Sequence, residues 1–519
     1  MADVTGAPAR NRLGAWGADD RRGFTLRVIT IVGAVIGFAW VVSWFAPSGV
    51  MRYVAPGGGA AILALAFLRR PADALLSFAL LILFYDSLAR HVGGSFRQID
   101  ELALAPLALI AFARVATRGR EWIWLPRDAA VAVVVVVGVV ASLAAEVPIA
   151  IWVPGLLLTL KSIVFFYTVM WTRIRAWEVQ GGFMIVVTVA LTVLALSAVE
   201  FFGPAAFQET LGLPPYDRSR GGVPVVKSLF SHPVLFAWFS AFVALLAYAQ
   251  FTVTRRWRWL AVGVLLSTGP FLAARRRAIL ALLAGLGAAF AESLRRTRNP
   301  RELVRMWSPV LLGLALVAAI FSSGLVGLVE LTVERYLPDI GQPAPTEVPG
   351  PAEPVEGDEN PQARVALYQG SVEVARDYFP LGGGFGRYGS WMSRVEYSPL
   401  YVEYGLSDVH GLRPSYPQFV TDTFWPQILG ELGIFGLLAY VGFVGSVVFT
   451  LWREAGRAVT PFQRALCLGA GMVFAQALVE SLASAMFNSP PRMYLLYLPV
   501  GIVASMAWRA RAGAPPAHP

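Results

Sequence analysis

About fourteen apolar runs, most of them long enough to cross a bilayer as a helix, recur along the chain near 27–46, 53–68, 72–89, 101–117, 129–146, 152–172, 182–202, 233–252, 259–274, 278–293, 308–328, 426–452, 465–485 and 492–508. A helix needs roughly 17–25 mostly apolar residues to cross ~30 Å of hydrocarbon. Within lipid the backbone must satisfy its own hydrogen bonds, which helices do segment by segment. The sequence therefore predicts an all-α polytopic integral membrane protein with about 12–14 transmembrane helices, the lower figure because several runs are short or interrupted by Pro and Gly. A mean hydropathy of +0.59, with 56% hydrophobic and only 15% charged residues, belongs to the same class. The formal charge of +10 does not mark a nucleic-acid surface, because the basic residues punctuate the runs and form no contiguous face; no nucleic acid is expected as a partner.

Basic residues accumulate in cytoplasmic loops, and every second run ends in one: "RRP" at 69–71, "RVATRGREWIWLPR" at 114–127, "TRIRAW" at 172–177, "TRRWRW" at 254–259, "SLRRTRNPRELVR" at 293–305, "WREAGR" at 452–457 and "WRARAG" at 508–513. Both termini are therefore expected in the cytoplasm. The N-terminus carries Arg10, Arg12, Arg21 and Arg22 before its first run, and no small-residue cleavage site follows, so that run reads as an uncleaved helix. The expected organisation is a cytoplasmic tail over 1–26, a helical bundle over 27–328, a long extracytoplasmic loop over 329–425, further spans over 426–508 and a cytoplasmic tail over 509–519. Within the loop, 338–362 is rich in Pro and acid and reads as a flexible linker, whereas 363–425 reads as ordered and is dense in Tyr, Trp and Phe. The single cysteine, Cys467, excludes disulfides and cysteine-based metal sites.

Against this pattern, "LLSTGPFLAARRRAILALLAGLGAAF" sets Arg275, Arg276 and Arg277 at the outer end of the ninth run, where arginine clusters should be rare. Arg218, Arg220, Lys227, Arg364, Arg387, Arg394, Arg413 and Arg492 fall on the same side. A guanidinium matches phosphate oxygens bidentately and stays charged at any relevant pH, so an outward cluster at headgroup depth suits a lipid-linked phosphate or diphosphate. The alternative is that these side chains snorkel to lipid headgroups or pair with carboxylates such as Glu330, Glu334 and Asp377.

Aromatic rings beside arginines and carboxylates in 363–425 suit carbohydrate, whose C–H faces stack on rings. Arg387, Tyr388, Trp391, Arg413 and Trp425 are the candidate glycan-binding residues; the alternative is a compact loop packed on its own aromatics. "GFGRYG" at 384–389 fits G-x-G-x-x-G, but it lies in a loop and not between a strand and a helix of a soluble βαβ unit, so it reads as a glycine turn that permits close backbone approach. No nucleotide-binding or metal-ligating signature is present, so no cofactor and no metal are expected. Among four histidines, His410 is the one placed to act as an outer base, beside carboxylates. Asp86, Lys161 and Glu480, lying in or near spans, leave open a transporter of lipid-linked sugars or polysaccharide.

Four stretches carry a resemblance to the O-antigen ligase and O-antigen polymerase superfamily of bacterial envelope glycosyltransferases. "RGGVPVVKSLFSHPVLFAWF" (220–239), "RRRAIL" (275–280), "ARVALYQGSVEVARDYFPLGGGFGRYG" (363–389) and "DTFWPQILGELGIFG" (422–436) are similar to its short motifs, the last ending Leu-x-Glu-x-Gly-x-x-Gly. The resemblance implies a metal-independent glycosyltransferase in the bacterial inner (cytoplasmic) membrane. It would take a polyprenyl-diphosphate-linked glycan donor and a glycan or lipid-linked acceptor among membrane lipids. It places Arg277 first on the diphosphate, with Arg220 and Arg364 as partners beside Arg275 and Arg276. Where the ligases carry His-Asn, this chain has Asp422 and Thr423; the resemblance thus implies Asp422, with His410 second, as the base, and favours polymerisation of repeat units over transfer to a lipid core.

Overall fold

The computed structural model describes residues 18–45, 53–117, 124–212, 219–220, 223–297, 299–321 and 361–511. The chain is an all-α polytopic membrane protein, with a single hairpin of two-residue strands, Ser219–Arg220 (β1) and Val223–Pro224 (β2), among those residues. Most of the acidic linker expected over 338–362 lies outside the described residues; from Pro361 onward the chain is helical.

The helices are α1 (Ala18–Phe45), α2 (Val54–Arg69), α3 (Pro71–Leu83), α4 (Tyr85–Val92), α5 (Ile99–Ala116), α6 (Pro126–Ala144), α7 (Ile149–Trp171), α8 (Ala176–Phe202), α9 (Pro204–Thr210), α10 (Pro233–Thr254), α11 (Trp257–Leu266), α12 (Gly269–Leu272), α13 (Arg276–Arg296), α14 (Pro300–Ile320), α15 (Pro361–Asp377), α16 (Trp391–Val395), α17 (Pro399–Glu403), α18 (Trp425–Arg457), α19 (Pro461–Ser481) and α20 (Arg492–Arg511). Among the described residues ten are long and apolar enough to cross a membrane, or eleven if α3 and α4, bent by 75°, form one broken span. The sequence's about fourteen runs exceed this because four are not single full-length spans. α2 has 16 residues. The run over 72–89 breaks at Phe84, and α5 carries Asp100 and Glu101 in its first turn and Arg114 in its last. The run over 259–274 is cut into α11 and α12, where Pro270 follows Gly269 and cannot donate to a continuing helix.

The described residues divide into two compact units. In the first, α1 packs on α2 and α3, and α2 on α5; the buried Asp73 carboxylate is held by Arg27 Nε at 2.5 Å. In the second, α10 is the central helix, with 83% of its apolar window buried, and packs against α11, α13 and α19. α18 lies along α6 and also meets α15 and α19. Residues 361–424 form a lobe with its own aromatic core, in which Leu367, Tyr388, Leu400, Tyr401 and Leu412 are inaccessible to solvent.

Candidate functional site

The three consecutive arginines need no charge inside the hydrocarbon, because the helix that follows begins among them. Ala274 turns the chain in the left-handed region (φ 49°), Arg275 is the extended residue preceding α13, and Arg276 is its first helical residue. The segment 225–228 folds against this turn: Val226 N donates to Leu272 O (3.1 Å), Val225 packs on Ala274, and the backbone N–H groups of Lys227 and Ser228 donate to Glu200 Oε2 (3.0 and 2.6 Å). Two of the stretches that resembled the family are thus neighbours.

Arg275 is only 4% exposed and lines a cavity together with Arg277, Glu480, Ser484, Arg492 and Val234. Arg277 Nη1 donates to Ala483 O, Arg492 Nη1 to Ser484 Oγ (3.3 Å), and Ser484 Oγ to Glu480 O (2.9 Å). Glu480, itself buried, accepts from Gln476 Nε2 (3.2 Å) and feels the charges of Arg492 and Arg277. Arginines at the first turn of α13 oppose its dipole, whose N-terminal end is positive and costs a cation there roughly 0.3–1 kcal/mol. A cavity with three guanidinium groups, one carboxylate and such a helix end favours an anion.

The turn that ends α19 gathers further candidates. Trp425 Nε1 donates to Ser481 Oγ (2.9 Å), Tyr368 OH to Leu482 O (2.9 Å), and Arg277 to Ala483 O. On α15, Arg364 is four residues before Tyr368 and shares its face; Arg364 Nη2 donates to Asp422 Oδ2 at 2.9 Å, with side-chain exposures of 12% and 32%. Arg364 Nε is buried without a hydrogen-bond partner. Asp422 is thus an ion-pair partner of one arginine assigned to the diphosphate, and it lies three residues before the Trp425 anchor.

The glycine turn and the Leu-x-Glu-x-Gly stretch meet each other. Gly383 N and Gly384 N donate to Gly430 O and Glu431 O (2.8 and 2.9 Å), while Gly386 N donates to Glu431 Oε1 (2.9 Å). A Cβ on Gly382 would stand 2.5 Å from the Glu431 backbone, and Gly433 breaks the helix at φ 61° to admit Leu381 and Gly382. Phe385 N is received by Ser142 Oγ (2.9 Å), and Gly386 lies against Gly155. "GFGRYG" permits close approach, as expected, but what approaches is the backbone of α18. Gln427 continues the network, accepting from Asn488 Nδ2 (2.6 Å) and donating to Glu431 Oε2 (3.4 Å).

The other expected residues separate by burial. Tyr388 is inaccessible, donates to Leu367 O (2.7 Å) and packs on Tyr401; burial pushes both phenols up in pKa. It offers no exposed ring face for stacking on a sugar. Trp425 is an anchor among Phe424, Tyr440 and Phe487. Trp391 is 55% exposed with the Arg394 guanidinium 5.5 Å from its ring, Arg387 is half-buried, and Arg413 reaches Asp408 O (3.2 Å). His410 is exposed and stacked on Tyr416. β1 places the backbone of Arg220 opposite Val223; its side chain lies outside the described residues. Among the described residues no three His, Cys, Asp or Glu are grouped to hold a metal ion. Sequence reasoning missed Tyr368, Gln427, Asn488 and the turn at 481–484; the four-residue step from Arg364 was the available signal for Tyr368.

A comparison with curated proteins finds no match. Residues 261–441 match the family model described as O-antigen ligase. That span contains Arg275–Arg277, the Arg364–Asp422 pair, the glycine turn and Glu431, and ends before the turn at 481–484 and Arg492. Over this stretch the chain is similar to the O-antigen ligase family.

Proposed function

We propose that the protein transfers or polymerises a polyprenyl-diphosphate-linked glycan at the outer face of a bacterial inner membrane. The observation that carries the reading is the convergence of Arg277, Tyr368 and Trp425 on residues 481–483, with the Arg364–Asp422 pair attached to the same two elements. The family supports work on lipid-linked glycan in general.

In this reading the donor's diphosphate docks against Arg277 and Arg275, with Arg276, Arg220 and Arg364 as further cations. The acceptor hydroxyl attacks the anomeric carbon, a new glycosidic C–O bond forms, and the anomeric bond to the diphosphate breaks. The electron pair leaves on the diphosphate, where fixed guanidinium groups stabilise the growing charge. The acceptor's proton passes to Asp422, whose Oδ2 is oriented by Arg364 and whose Oδ1 receives it; His410, exposed on Tyr416, is the alternative base. Asp422 at the position where ligases carry histidine favours polymerisation over ligation.

Transfer from a polyprenyl-diphosphate donor is the test. Arg277→Ala should insert and fold yet lose at least ~100-fold in transfer, the scale of losing one preorganised charge stabiliser, and Arg277→Lys should recover little because a point charge lacks the fork. Wild-type turnover by Arg277→Ala would refute the reading. In a deletion strain, loss of glycan chain length indicates a polymerase, whereas loss of attachment with length retained indicates a ligase.

A further inference from the structure

The first compact unit contains a second arginine-lined cavity that the reading above does not use. It has a volume of about 230 Å³ and is lined by Arg69, Pro71, Arg114, Trp171, Arg173 and Arg509, with Trp508 and Thr172 at its wall. The ends of α2, α5, α7 and α20 and the start of α3 meet there. Four guanidinium groups line it and no carboxylate does. Asp73, in the first turn of α3, is engaged by Arg27.

Two of the four arginines are fixed in advance. Arg114 Nη2 donates to Phe67 O and Leu68 O (3.2 and 2.6 Å), with its guanidinium 5.4 Å from the Phe67 ring. Arg509 Nη2 donates to Thr172 O (3.0 Å) and Ser505 Oγ (2.6 Å). Holding the forks on helix-end carbonyls lowers the ordering cost of binding an anion. Arg69 and Arg173 are exposed at the rim.

The surroundings set the depth. Leu65, Leu68 and Phe112, on the last turns of α2 and α5, are 63%, 52% and 47% exposed, an apolar surface facing lipid that gives way at the next residues to arginine. Trp171 and Trp508 lie at that boundary, the level at which tryptophan is enriched in membrane proteins. The loops at these helix ends are the basic ones, which the positive-inside pattern assigns to the cytoplasmic leaflet, where basic pockets between spans take anionic headgroups.

We propose that this cavity binds the phosphate of an anionic phospholipid, a phosphatidylglycerol or cardiolipin headgroup, with the acyl chains lying along α2 and α5. The chemistry shared with a free phosphate is guanidinium–phosphate pairing; the lipid is favoured because the exposed apolar face continues directly into the cavity.

The test uses the full chain purified in a neutral detergent, with the thermal unfolding midpoint followed against added cardiolipin or phosphatidylglycerol, phosphatidylcholine, or inorganic phosphate at equal phosphate concentration. Anionic lipid should raise the midpoint saturably, and the other two should not. Arg69→Gln with Arg173→Gln, at two exposed positions, should leave the lipid-free midpoint unchanged and weaken the apparent lipid affinity about thirtyfold. Arg173→Gln alone, expected to weaken it about fivefold, serves if the pair fails to fold. Arg453→Gln with Arg464→Gln removes the same charge elsewhere and should retain binding. The proposal is overturned by unchanged affinity in the rim variants, by an equal loss in the control pair, or by inorganic phosphate reproducing the shift, which would make the cavity a site for a free anion.

Discussion

The two arginine-lined cavities differ in one side chain type. At the start of α13, Arg275, Arg277 and Arg492 share their cavity with Glu480; at the ends of α2, α5, α7 and α20, Arg69, Arg114, Arg173 and Arg509 share theirs with no carboxylate. A resident carboxylate lets a guanidinium cluster stand without ligand, and any incoming phosphate must compete with it. On the proposals above this is what a turnover site needs, since the spent polyprenyl diphosphate must leave. A cavity with no carboxylate in its lining has no such competitor at its wall and retains its anion, as suits a lipid that stays with the fold. The lesson is that the count of arginines says that an anion binds, and the presence of a counter-charge says for how long.

Removing Glu480 should therefore have the largest effect. Glu480→Ala leaves three arginines beside a positive helix end and should cost about 3–5 kcal/mol, the range for a buried charge deprived of its partner, seen as a lowered unfolding midpoint that added pyrophosphate partly restores. Glu480→Gln, which keeps the shape, should bind the diphosphate donor more tightly and release product more slowly, lowering KM and kcat together. Unchanged donor affinity in Glu480→Gln would break the comparison, because Glu480 would then be no competitor.

Next in size is Arg275. From sequence alone it reads as the lesser neighbour of Arg277, yet it is the more buried of the two and lines the same cavity. Arg275→Ala should reduce transfer about tenfold or more, whereas Arg173→Gln in the other cavity should leave transfer untouched. Equal transfer in Arg275→Ala and wild type would assign Arg275 to folding alone.

What could be read from the sequence follows from what leaves a local trace. Spans and the position of the outlying arginines are written in runs of hydropathy and charge, so α13 starting at Arg276 was close to legible. The break in the run over 72–89 was less so, since Phe84 carries no breaker chemistry itself, whereas Gly269 and Pro270 mark the break in the run over 259–274. The role of Glu431 was hidden for a different reason. Its carboxylate accepts from Gly386, 45 residues away in the chain, and no local periodicity records that pairing. The turn at 481–484 is received by Arg277, Tyr368 and Trp425 largely through backbone carbonyls, which every residue has, so its own sequence could not mark it.

Glu431 gives a prediction of intermediate size. It holds the lobe to α18 through Gly386 N and contacts Gln427. Glu431→Gln keeps one acceptor oxygen but puts an amide NH2, a donor, where the second oxygen now accepts from Gly386 or Gln427. It should cost about 1–2 kcal/mol in stability, seen as easier proteolysis of the lobe, with transfer per folded molecule within a few-fold of wild type. A folded variant with abolished transfer would move Glu431 into the chemistry.

The smallest expected effect separates two aromatic residues of one stretch. Tyr388 and Trp391 are three residues apart, but Tyr388 is inaccessible and hydrogen-bonded to Leu367 O, while Trp391 is 55% exposed beneath the Arg394 guanidinium. The Arg394 guanidinium lies over one face of the Trp391 ring, so this surface offers an exposed aromatic for stacking with one face already occupied. A sugar stacking there gains about 0.5–1.5 kcal/mol, so Trp391→Ala should raise KM for a glycan acceptor roughly two- to tenfold with kcat and unfolding midpoint nearly unchanged. Tyr388→Ala, by contrast, removes a core side chain and should cost about 3 kcal/mol or more in stability. A Trp391→Ala variant with unaltered acceptor KM would leave the lobe without a glycan contact at this position, and the acceptor would have to be held at the arginine cavity alone.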